Sequence, residues 1–502
     1  MDPRPTCFTS KFHEWMVLFI VCMAQFLTQG GITMSLSTMN IITESFEAAS
    51  GQSVESSQKV WFMGLFALTV GTFMLISGKL GDLFGLKLIF NIGWIWVTLW
   101  SLLTGVSYYS KSIIFFIVCR AFQGFGFALL IPSGVGLIGS IYQNGARKNF
   151  AFGLIGASGP TGATIGALFA AIFSELVWWP WAFWMMAILA AIFGMLSYFV
   201  IPLDVKKSAT LFKEKLMRMD FLGSSVGVSG LILLNFVWNQ GPESSWSAVY
   251  VIVLLVISML LIILFFYLEL KVVKYPLLPR SVFNLKIGLV LLIISFGWGS
   301  FGIWQYYYWS IILNLRHYSP IQGGLTYIPL FILGVVAALC VSAIISRTKP
   351  SYLLALSAIT FMSGCIMLSV MPVHQTFFRV SLGMMFVLCW AMDVSFPSAS
   401  IILSDYLPAY HQGMAGSLVS TVINYSVSLF LAIASTVESQ VLQRTGDELK
   451  SYRSAINMGT GVAGLSVLFS LIFIFIQRND DIGTFESTED KEDLLNHNRE
   501  IS

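Results

Sequence analysis

Gly78-Lys79-Leu80-Gly81-Asp82-Leu83-Phe84-Gly85-Leu86-Lys87 joins two apolar runs, residues 60–78 and 88–107. Glycine tolerates backbone angles closed to other residues, so this stretch permits a tight reversal. Asp82 is placed to cap a helix N-terminus or to meet a neighbouring helix dipole. Each flanking run has about the 20 residues that a helix needs to cross a bilayer. A reversal between two such runs is a hairpin of membrane helices.

The same reading extends outward along the whole chain. Twelve further apolar runs flank the first two, which gives fourteen spans at roughly 15–38, 60–78, 88–107, 113–141, 150–173, 181–202, 221–240, 248–268, 287–310, 320–344, 351–371, 378–403, 413–437 and 456–476. In lipid the backbone has no water to bond to, so runs this long are expected to be helices. Composition agrees. Of 502 residues, 56% are hydrophobic and only 11% charged, against about a quarter charged in soluble domains. The mean hydropathy is +0.80. The fold class expected is an all-α membrane protein.

Lys and Arg set the orientation. With the N-terminus inside, 20 of them fall in inner segments and 7 in outer ones, and Arg120 lies within span 4. Both termini are therefore expected in the cytoplasm. The first 14 residues are polar and the first apolar run is too long for a cleaved leader, so it is expected to stay as a signal-anchor helix. The basic loop 203–220 separates six spans from eight. The division expected is a cytoplasmic N-tail 1–14, a six-helix bundle 15–202, a loop with two linker helices 203–286, a second six-helix bundle 287–476 and an acidic, disordered cytoplasmic tail 477–502. That tail holds an acidic dileucine pattern, Asp490 with Leu494-Leu495, of the kind used in sorting.

Several functions are excluded or unsupported. The net charge of +3 is scattered and gives no nucleic-acid surface. The six cysteines have no metal-ligand spacing and sit mostly in apolar runs, as small core residues do. No nucleotide loop or nucleophile–base pair is present, so neither an enzyme nor a cofactor or metal is expected. The one glycosylation sequon, Asn424-Tyr425-Ser426, lies inside an apolar run, where no glycan is expected.

Polar groups inside spans mark function by default because burying them in lipid is costly. Arg120 opens Arg120-Ala121-Phe122-Gln123-Gly124-Phe125-Gly126-Phe127-Ala128 in span 4, with glycines that allow close helix approach. A purely structural arginine is the rival reading. Asp393 in span 12 is the carboxylate nearest the middle of any span. Apolar surroundings suit it to proton exchange, and a structural hydrogen bond across helices is the alternative. In span 9, Trp304-Gln305-Tyr306-Tyr307-Tyr308-Trp309 reads as an interfacial aromatic belt at Tyr308 and Trp309; Gln305 is offered as a cavity wall.

These segments resemble the major facilitator superfamily. Residues 78–87 are similar to its loop 2–3 signature, except that Leu83 and Leu86 stand where basic residues are usual. The resemblance implies a gating loop of Gly78, Asp82, Gly85 and Lys87, whose charge network rests on Asp82 and Lys87. Span 4 resembles the motif R-x-x-Q-G-x-G-x-A, in which the arginine handles protons and orients span 1. Gly153, Gly156, Gly159-Pro160, Gly162 and Gly166 in span 5 are similar to the antiporter motif with its spacing broken. Gly159, Pro160, Gly162 and Gly166 are then the helix-bending residues. Asp220-Phe221-Leu222-Gly223, Trp238-Asn239-Gln240-Gly241-Pro242 and Glu269 with Pro276-Leu277-Leu278-Pro279 look like the two linker helices of the 14-span drug:proton antiporters. The fold implied is a 6+2+6 bundle. In span 1, Leu27-Thr28-Gln29-Gly30-Gly31-Ile32-Thr33 lacks the aspartate common in that family.

Trp178-Trp179-Pro180-Trp181-Ala182, Asn239-Gln240-Gly241-Pro242, Ala391-Met392-Asp393-Val394-Ser395-Phe396-Pro397 and Asn424-Tyr425-Ser426 are closer to one fungal group. It includes aminotriazole-resistance proteins, boron exporters and a low-affinity ammonium transporter. That resemblance implies proton-coupled export of boric acid or a xenobiotic. Ammonium transport, or a nutrient sensor on a transporter fold, is the alternative. Arg120 and Asp393 are assigned to transport and proton coupling, and Gln29, Gln123, Asn239, Gln305 and Asn424 to the substrate cavity. The partners expected are a small molecule or ion, protons and the bilayer, for a monomer in the plasma rather than the vacuolar membrane.

Overall fold

A computed structural model describes residues 5–143, 145–202, 212–345, 347–407 and 414–500, with side chains followed as far as residue 478. Basic residues 206 and 207 of the long loop lie outside the described residues, as do the side chains of the dileucine pattern; the backbone of the tail expected to be disordered runs on as helix to Glu500.

Among the described residues, fourteen helices are long and apolar enough to cross a membrane: span 1 Lys11–Ser37, span 2 Ser57–Phe84, span 3 Leu86–Ser110, span 4 Ile113–Ile141, span 5 Phe150–Leu176, span 6 Pro180–Val200, span 7 Phe221–Gly241, span 8 Val249–Val272, span 9 Leu285–Leu315, span 10 Pro320–Val341, span 11 Pro350–Ser369, span 12 Ser381–Tyr406, span 13 Met414–Thr445 and span 14 Glu448–Arg478. Their ends carry local signals. Ser10, Ser112 and Asn284 each accept a backbone N–H of the first turn, and Pro180, Pro320 and Pro350 open helices where no N–H is needed. Gly85 ends span 2 at φ +112°, a conformation that requires glycine. Gly81 leaves room for Leu86 to fold back on it.

The largest departures from the expected boundaries lie at the ends of spans 13 and 14. Residues 438–455 read as a polar loop, yet the helices continue to Thr445 and restart at Glu448. Their polar side chains are taken up by the protein: Tyr307 donates to Glu438 (2.7 Å) and Tyr452 to Glu448 (2.5 Å). A second departure is the aromatic belt. Tyr306, Tyr307, Tyr308 and Trp309 are at most 3% exposed. Tyr308 donates to Thr326 of span 10 (2.8 Å), and Trp309 packs on Tyr327 with ring centroids 5.0 Å apart. Span 9 is surrounded by protein at this depth, so its aromatics fill a helix–helix interface and none of them sits at the lipid surface.

Spans 1–6 and 9–14 form two six-helix halves, and spans 7 and 8 pair with each other beside them. Span 8 is 11% buried, against 72% for span 2, and its large side chains such as Leu260 and Ile263 face outward where lipid replaces a protein partner. The halves meet along two pairs, span 2 with span 13 and span 5 with span 10. Gly64, Gly71 and Gly78 recur every seventh residue on span 2. They lie against Ser428, Tyr425 and Ser417 of span 13, the small-residue contact by which membrane helices approach closely.

Within the first half, Gly162 and Gly166 of span 5 press on the backbone of Phe26 and Gly30 in span 1, with Thr33 donating to Ala163 O (2.6 Å). Any side chain at Gly166 would enter the Gly30 backbone. Gly166→Val is therefore expected to destabilise the bundle by about 1–3 kcal/mol, the usual cost of overpacking. A thermal unfolding curve of detergent-solubilised protein checks this; an unchanged midpoint would contradict it.

Candidate transport site

The two halves are tied together by hydrogen bonds on the face away from the chain termini. Asn40 donates to Asn314 (2.8 Å), Ile321 N donates to Glu175 (2.5 Å), and Thr164 donates to Tyr327 O (3.2 Å). Nearer the terminal face, Gly153 and Gly156 of span 5 meet nothing within 4 Å of where a side chain would start. Their bare, glycine-rich surface faces open space.

At the span 5–span 10 contact lies the half-buried carboxylate of Asp393. Pro160 packs on Gly334, and Asp393 Oδ2 of span 12 lies beside that same glycine. A side chain at Gly334 would start 3.0 Å from Pro160 and 3.3 Å from Asp393 Oδ2. That oxygen is buried and has no hydrogen-bond partner. The neutral acid would hold a proton there, and the anion would need an incoming cation or donor. Asp393 thus sits where one element of each half touches the other.

Arg120 has a different environment. It is 0% exposed, with its guanidinium 4.4 Å from the Phe66 ring centroid. It donates to Phe62 O (3.2 Å), Gly31 O (2.6 Å), Ser35 Oγ (3.3 Å) and, closely, to Gln123 Oε1. Gln123 in turn donates to Ser101 (2.7 Å). None of those partners is a carboxylate. Arg120 and Gln123 knit spans 1, 2, 3 and 4, with Arg120 holding span 1 through Gly31 and Ser35.

The other residues singled out from sequence fall in separate places. Gln29 lies beside Gly159 near the Pro160 contact. Asn239 bonds to Asn235 within span 7, Asn424 to Ser420 O within span 13, and Gln305 is buried near Tyr327. In the loop after span 2, Asp82 is exposed and does not cap span 3, whose N-cap Gly85 makes no side-chain bond. Lys87 donates to Ile201 O (2.5 Å), satisfying a carbonyl at the end of span 6. Gln305→Ala is expected to alter substrate preference, checked by competition between test solutes in a transport assay; unchanged preference would assign Gln305 to packing alone.

Two buried acids, Glu14 and Glu438, escaped the sequence reading, and a third, Glu269, entered it only as part of the linker-helix pattern. Glu14 pairs with Arg147 (3.2 Å) and accepts from Tyr142 (2.9 Å) where span 1 begins. Burial and that bond to Glu14 push the Tyr142 hydroxyl above its ordinary pKa, which keeps it a donor. Glu269 ends span 8, and Glu438 lies near the end of span 13. Each stands at a boundary, where a charge reads as solvated; only the fold shows what covers it.

Comparison with known proteins now decides the family. The model of the Major Facilitator Superfamily matches residues 21–432. This chain belongs to the major facilitator superfamily. It is 44% identical over 475 residues to the aminotriazole resistance protein of Saccharomyces cerevisiae, covering 94% of this chain and 86% of that one. It is 42% identical to the low affinity ammonium transporter of the same yeast, covering 94% and 90%. The efflux pump terJ of Aspergillus terreus is 34% identical, covering 96% and 92%. Among solved structures, a peptide transporter POT superposes with a TM-score of 0.63 over 92% of this chain and 94% of that one, at 14% identity. That last likeness shows the fold alone. This superfamily member is an integral membrane transporter of small molecules, and not an enzyme.

Proposed function

We propose that this transporter exports a small solute in exchange for protons, with Asp393 as the group that alternates between proton and cargo. The observation that carries this reading is the unpartnered Oδ2 of Asp393 at the contact between spans 5, 10 and 12. A carboxyl there is reached from one face at a time when the two bundles, 15–202 and 287–476, rock about the span 2–span 13 and span 5–span 10 contacts. The segment 203–286 connects them. The termini are cytoplasmic, and the bonds Asn40–Asn314 and Glu175–Ile321 close the outer side. The protein acts as a monomer in the plasma membrane.

Boric acid and weakly basic xenobiotics are the cargo classes put forward. Similarity to an aminotriazole resistance protein and to an efflux pump supports export. Similarity to a low affinity ammonium transporter supports a second reading, in which ionised Asp393 receives ammonium. Cells that overproduce the protein and matched cells that lack it separate these readings under borate, aminotriazole or methylammonium. Lower cell boron or aminotriazole on overproduction is the expected result. Raised methylammonium uptake would favour the second reading, and no difference with any solute would overturn both.

A further inference from the structure

Spans 7 and 8 lie outside the two halves, and a second buried acidic site fastens them. Asp220 stands just before span 7 and is 6% exposed; its Oδ1 accepts the Gly223 N–H (2.8 Å), while Oδ2 is buried without a hydrogen-bond partner. Glu269 is 1% exposed on a single π-helical turn, Leu268–Val272, that ends span 8. Such turns re-aim side chains and recur at functional sites. Glu269 accepts the N–H groups of Leu277 (3.2 Å) and Leu278 (2.9 Å), which hold down the strap after span 8. The Asp220 and Glu269 carboxyls meet.

One cation lies near the pair and two more lie over the strap's Tyr275 ring. Lys79 of span 2 lies near both acids and donates to Tyr275 O (2.6 Å) and Pro276 O (3.1 Å) of the strap. Arg218, before span 7, and Lys274, on the strap, lie over the Tyr275 ring at 5.9 and 5.6 Å. With both backbone donors spent on Glu269 and Gly223 N–H spent on Asp220, the facing carboxyl oxygens are acceptor against acceptor. Only a proton between them makes that contact attractive.

We propose that Asp220 and Glu269 form a proton-binding site, separate from Asp393, in which one shared proton clamps spans 7 and 8 together and holds strap 275–278 against Lys79. The proton sits between Asp220 Oδ2 and a Glu269 oxygen. It passes to water when the strap lifts, leaving two carboxylates and Lys79. The clamp therefore joins the linker helices to the end of span 2 that leads into the Gly78–Lys87 loop, and acid favours the closed form.

Hydrogen–deuterium exchange of full-length protein in nanodiscs tests this on segment 275–278, corrected for the intrinsic pH dependence of exchange. Wild-type protection is expected to fall as pH rises, by up to about tenfold per pH unit, the limit for one linked proton. Asp220→Asn puts a permanent amide donor in place of the unpartnered Oδ2 and is expected to flatten that slope while keeping the strap protected; Glu269→Gln is expected to flatten it while losing one of the two strap bonds, since both Glu269 oxygens accept backbone N–H groups. Asp393→Asn is expected to keep the wild-type slope. A flat wild-type profile, a wild-type slope in the amide variants, or a slope abolished by Asp393→Asn would overturn the proposal. No transported solute is needed, so failure here is distinct from failure of the export reading.

Discussion

Asp393→Asn is expected to reach the membrane at wild-type abundance and to carry no gradient-driven solute. The substitution keeps the side-chain volume, so the contact of Pro160 with Gly334 remains filled. An amide neither ionises nor releases a proton, so the step that links solute to proton disappears. Asp393 Oδ2 has no bond to lose, so stability should change little. The expected pattern is full expression, an unchanged thermal midpoint and transport at background. Asp393→Glu, which keeps the titratable group one methylene further out, should restore part of the activity. Wild-type transport by Asp393→Asn would remove Asp393 from the mechanism.

Arg120→Ala is expected to act in the opposite way, through folding. It would leave Phe62 O, Gly31 O and Gln123 Oε1 without their donor in a region that water does not reach. Each buried polar group left unpaired costs roughly 1–3 kcal/mol. It would also empty the space beneath Phe66. Together these exceed what a marginally stable protein tolerates, so the folded yield should fall sharply. Arg120→Lys should recover only part of it, because an ammonium cannot span three fixed acceptors as a planar guanidinium does. Monodisperse yield on size exclusion checks both variants. A wild-type yield for Arg120→Ala, with transport alone abolished, would instead place the arginine in the proton path.

The architecture was legible because lipid imposes one rule on every span. Runs of apolar residues of sufficient length had to be helices, and their number, the reversal within residues 78–87 and the small-residue faces of spans 4 and 5 came from local composition. Membership of the superfamily was legible in residues 78–87 and 120–128. Burial by other protein was not. Tyr308 and Trp309 look the same in sequence at a lipid interface and inside a bundle, because an aromatic side chain satisfies either. Glu438 fell in a stretch between spans and Glu269 in the linker-helix pattern; that Tyr307 and the 277–278 amides cover them shows only in the fold. The residues offered for one substrate cavity were chosen as polar groups in apolar runs. That criterion does not distinguish Gln29, beside the half interface, from Asn239 and Asn424, which bond within their own helices.

Proton coupling through the half interface is tested most directly in proteoliposomes holding a pH-sensitive dye, with the purified protein and the solute selected by the cell challenge. Addition of that solute to wild-type vesicles is expected to drive a proton flux opposite to solute movement, and Asp393→Asn vesicles should show neither flux. Solute movement with no proton flux, or an equal flux in the Asp393→Asn vesicles, would contradict the account.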